Sequence, residues 1–80
     1  MKTRQVETLP VTESIRNGFL LCGDGRKKVL LNGLSEEEFI TARTELFLKE
    51  LNSFLDGGVE PIFAEELAFI RCMKGLKKPS

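Results

Sequence analysis

Histidine, tryptophan and tyrosine are all missing from this 80-residue chain. Without an imidazole there is no ordinary general base near neutral pH, and no partner to activate a cysteine or serine nucleophile. A structural zinc site would need carboxylates beside its thiolates, because only two cysteines are present. Those two, Cys22 and Cys72, are far apart and form no CxxC unit. A Cys22–Cys72 disulfide is conceivable, but reduced and buried thiols are the expected state. Met1-Lys2-Thr3-Arg4-Gln5 is not followed by an apolar signal region, and no apolar run approaches a membrane span. A cytoplasmic protein with no membrane partner is therefore expected.

A net charge is also lacking: twelve basic side chains balance twelve acidic ones. That argues against a general polyanion binder, whose affinity comes from many Lys and Arg contacts to phosphates. The charges are nevertheless segregated. Residues 35–66 hold nine acids against Arg43 and Lys49, whereas the tail holds Arg71, Lys74, Lys77 and Lys78 without an acid.

What is present is an ordinary apolar share of 41%, including six phenylalanines. A chain this short buries only about 60% of its unfolded surface, so one thin core in a single domain is expected over residues 1–80. Residues 1–13 read as a polar arm or an edge strand near 4–9, interrupted by Pro10. Ile15 to Cys22 and Arg26 to Leu31 flank Gly23-Asp24-Gly25, a pairing that signals a β-hairpin over 15–31. That hairpin is apolar on both faces.

Helical signals follow. Ser35 with Glu38 forms a capping-box pattern, Leu34 and Phe39 are placed for a hydrophobic staple, and Asp56-Gly57-Gly58 supplies a stop. These predict a helix over 35–55. Pro61 suits a first helical turn, so a second helix is predicted over 61–74, with 77–80 a frayed tail. The expected fold class is α+β: a hairpin, with an N-terminal edge strand as a possible third, followed by two amphipathic helices.

On the first helix, Phe39, Ile40, Leu46, Phe47, Leu51, Phe54 and Leu55 make a broad apolar arc. The second shows two stripes, Ile62, Phe69, Met73 and Leu76 on one side and Phe63, Leu67 and Ile70 on another, with Glu66 between. This is more apolar surface than one small monomer readily hides, so self-association as a two-fold dimer is expected. The candidate interaction residues are Phe39, Phe47, Leu51, Phe54, Phe63, Phe69 and Met73. Arg43 and Glu50, near the edge of the first arc, are placed either to pair across such an interface or to stand exposed.

Other chemistry has plainer explanations. The turn from Cys22 to Lys28 lacks P-loop spacing, and Glu36, Glu37 and Glu38 suit a helix start better than a metal. No catalytic residue, cofactor or metal is expected. The leading reading is a small non-enzymatic regulatory or adaptor protein that acts through protein–protein contacts as a homodimer.

A second reading comes from a resemblance. The order strand, helix, turn, helix in residues 26–74 loosely resembles ribbon-helix-helix repressors, which place a paired strand in the major groove. The matching residues are Arg26-Lys27-Lys28 for the ribbon and Leu34-Ser35-Glu36-Glu37-Glu38 opening the first helix. The resemblance implies a nucleic-acid-binding regulator with Arg26, Lys27 and Lys28 as its basic patch. The chain departs from it in a longer first helix, a preceding hairpin, and the unbroken apolar run Val29-Leu30-Leu31.

Overall fold

The computed structural model describes residues 9–76, which form four helices and, among the described residues, no strand. They are α1 (Leu9–Leu20), α2 (Asp24–Leu31), α3 (Glu36–Asp56) and α4 (Pro61–Cys72). The expected α+β class, with its β-hairpin over 15–31, is overturned: the fold is all-helical. The edge strand expected near 4–9 lies outside the described residues except for Leu9, which opens α1. The frayed tail at 77–80 lies outside them as well.

The burial pattern explains the correction. Ile15, Phe19 and Cys22 are buried at spacings of four and three residues, while Leu20 and Leu21 between them stay more than half exposed. That is the 3.6-residue repeat of a helix and not the two-residue repeat of a strand. Pro10 is tolerated because it sits in the first turn, where backbone N–H groups have no partner within the helix. Gly23-Asp24-Gly25, expected as a hairpin turn, starts a helix instead. Gly23 is the N-cap of α2 in extended backbone, Asp24 stands at the positive end of the dipole, and the Lys27 N–H donates to the Gly23 carbonyl at 2.9 Å. Asn32 then closes α2 with φ at +48°, a left-handed conformation that asparagine tolerates. Asn32-Gly33 thus ends a helix where the sequence reading ended a strand.

Helix α3 is the spine, and the other three helices pack on it. Its start is fixed by a complete capping box: the Glu38 N–H donates to Ser35 Oγ at 3.1 Å, and the Ser35 N–H donates to Glu38 Oε1 at 2.9 Å. Those bonds, the backbone one foremost, hold the Glu38 carboxyl below its ordinary pKa. Leu34, the intended staple residue, stays 43% exposed. At the other end the Gly57 N–H donates to the Ser53 and Phe54 carbonyls, and Gly58 turns the chain with φ at +89°.

One core joins all four helices. Ile15, Phe19 and Cys22 from the α1 side meet Phe39, Ile40, Phe47 and Leu51 of α3 and Ala64, Ala68 and Cys72 of α4, with Met73 and Leu76 closing the end. Phe19 and Phe39 pack at a centroid distance of 5.2 Å and a tilt of 41°. Helix α2 contributes no fully buried side chain and rests on the core through Leu30 and Leu31. Among the described residues, no helix is long and apolar enough to cross a membrane.

Candidate interaction surface on helix α4

Helix α4 is preceded by its N-cap Glu60, whose backbone carbonyl accepts from the Ala64 N–H at 2.7 Å, with Pro61 in the first turn. Its inward face is the row Ala64, Ala68 and Cys72, each completely buried. Small residues at i, i+4 and i+8 let the helix axis approach α3 closely. Most of the bulky side chains of α4 lie on the other side, with Phe69 half-buried against the core. Ile62 is 72% exposed, Phe63 and Ile70 54% each, and Leu67 40%. At about 100° per residue these four cover a continuous arc of the outer surface, broken only by the exposed Glu66. Beside the arc a shallow groove of about 320 Å³ runs between Val11, Phe47, Ile62 and Phe69.

The far end of α4 is held by Arg43 of α3. Its Nη1 donates to the carbonyls of Cys72 at 2.8 Å and Lys74 at 2.7 Å, which have no partner within the helix. The same guanidinium lies 5.0 Å from the Phe39 ring centroid. Burial lowers the Arg43 pKa from its ordinary value. It also pushes the Cys72 thiol up to about 11. Arg71 pairs with Glu50 at 3.3 Å and stacks over Phe54 at 5.3 Å. Arg43 and Glu50 therefore both find partners on α4 of their own chain. Arg16 ties α1 to the start of α3 through Glu37 at 3.0 Å.

Of the seven candidate interaction residues, Phe39, Phe47, Leu51 and Met73 are core residues of this chain, at most 3% exposed. Phe54 and Phe69 are half-buried, and only Phe63 stands well exposed. Ile62, Leu67 and Ile70, absent from that set, are the ones that share the surface with Phe63. Their signal was the pair of stripes on α4.

Arg26, Lys27 and Lys28 lie on α2, where consecutive side chains diverge by about 100°. Arg26 and Lys28 are exposed, while the half-buried Lys27 places its Nζ 5.7 Å from the Phe19 ring centroid. The ribbon required by the ribbon-helix-helix resemblance does not form. A cleft of about 440 Å³ lies between Cys22, Gly23, Arg26, Gly75 and Leu76. Both cysteines are free and buried, and the Cys22 thiol donates to the Gly18 carbonyl at 3.3 Å. Among the described residues, no three His, Cys, Asp or Glu side chains gather as a metal site would require. Set against protein-family models, curated proteins and solved structures, the chain matches none of them.

Proposed function

We propose that this chain works by protein–protein contact, as a cytoplasmic homodimer in a regulatory or adaptor role, joined through the outward face of α4. The observation that carries the reading is the outer face of α4: Ala64, Ala68, Cys72 and the half-buried Phe69 turn inward, while Ile62, Phe63, Leu67 and Ile70 face water. Selection for monomer stability alone would turn large apolar groups toward the core, since each fully buried one is worth about 1.5–3 kcal/mol. A contiguous exposed apolar arc is the usual mark of a protein contact surface. A second copy is the simplest occupant, because two-fold pairing lets one such face cover another.

The test is to replace Phe63 or Ile70 by glutamate and follow mass by sedimentation and helicity by circular dichroism. Both side chains are exposed, so the reading expects loss of the dimer with helical content and melting of the monomer intact. Unfolding together with dissociation, or no change in mass, contradicts it.

A further inference from the structure

Resting on that reading, we infer that the second copy docks antiparallel, with the two-fold axis at Leu67 and each Glu60 carboxylate meeting the ammonium of the partner's Lys74. Leu67 lies between Phe63 and Ile70 along the exposed face. Glu60 and Lys74 stand seven residues to either side of it. Glu60 is the N-cap of α4 and Lys74 follows its C-cap, so the two mark opposite ends of the helix. Both are exposed, and among the described residues neither side chain has an ion-pair partner.

A two-fold axis that lies in the interface, perpendicular to both helices, reverses chain direction and sets the N-terminal end of one α4 against the C-terminal end of the other. Glu60 of one copy then meets Lys74 of the other, twice per dimer. Parallel pairing gathers both Glu60 carboxylates at one end and both Lys74 ammoniums at the other, and aligns the two helix dipoles unfavourably. Glu66 falls within the arc, between Ile62 and Ile70, exposed and long enough to keep its carboxylate in water.

The experiment uses the full chain and light scattering across a dilution series. Glu60→Lys and Lys74→Glu each convert two attractive contacts into repulsive ones, so each weakens the dimer by on the order of tenfold. The double variant E60K/K74E returns affinity to the wild-type value. Cross-linking then reads direction. With a short thiol-to-thiol reagent, Leu67→Cys joins the two copies. Phe63→Cys does not, because its copies stand about 12 Å apart along the helix. The native thiols are buried and do not compete.

Single charge variants that leave affinity unchanged, or equal cross-linking at positions 63 and 67, overturn the antiparallel pairing while leaving the dimer standing. A wild-type chain that stays monomeric and helical at every concentration overturns the dimer itself.

Discussion

Replacing Arg43 by alanine removes three contacts at once, and their sizes follow from their surroundings. The bond to the Cys72 carbonyl, 2.8 Å long and partly buried, is charge-assisted and contributes about 1.5 kcal/mol. The bond to the exposed Lys74 carbonyl is replaceable by water and contributes about 0.5 kcal/mol. Stacking of the guanidinium on Phe39 adds about 0.5–1 kcal/mol. The sum, about 3 kcal/mol, lowers the melting temperature by roughly 10–20 °C in a domain of this size. Urea unfolding followed by circular dichroism checks it, and amide exchange in the last turn of α4 shows whether the loss is local. Arg43→Lys keeps the charge but cannot span both carbonyls from one flat fork, so it falls about midway. An Arg43→Ala variant within about 0.5 kcal/mol of wild type refutes the clamp.

Three further outcomes follow from other parts of the fold. Ala68→Leu forces a large side chain into a fully closed site between α3 and α4, and urea unfolding should show a loss of about 1–3 kcal/mol; Leu67→Ala next to it should cost far less in the monomer. The Glu38 carboxyl has its pKa depressed by the cap, so its stabilisation is present above the unfolded carboxylate pKa and is lost as pH falls through the folded one. A Glu38→Gln variant should therefore show a flatter acid limb of stability against pH. Cys72, held near 11 against an ordinary 9.0, favours the folded state below the unfolded pKa and loses that contribution as pH rises through the folded one. Its alkylation at neutral pH should follow global unfolding, which labelling across a urea series measures.

Local chemistry made α3 and α4 legible in the residues. Ser35 and Glu38 satisfy one another's backbone groups within a single turn, and Pro61 needs nothing from the rest of the fold to favour a helix start. Residues 15–31 carry a hairpin signal and yet form helices because Gly23-Asp24-Gly25 serves equally as a hairpin turn or as a helix start. The composition held a tie-breaker. Leu20, Leu21, Leu30 and Leu31 are unbranched at Cβ and favour helices, and only Ile15 and Val29 in the two expected strands are β-branched.

The interaction face was half legible. Two apolar stripes on α4 were visible, yet which side packs inward was not, because alanine carries little hydrophobic signal. Of the two stripes, Phe69, Met73 and Leu76 pack inward while Phe63, Leu67 and Ile70 face water, and the inward row Ala64, Ala68 and Cys72 appears only once α3 lies against it. Likewise Arg43 and Glu50 looked free for an interface because their partners on α4 are distant in sequence.

Absolute molar mass by light scattering, for the wild-type chain under reducing conditions across a dilution series, tests the central claim most directly. The account predicts twice the chain mass at high concentration, falling to the chain mass on dilution through a single monomer–dimer equilibrium. A mass equal to one chain at every concentration, with helicity retained, would contradict it.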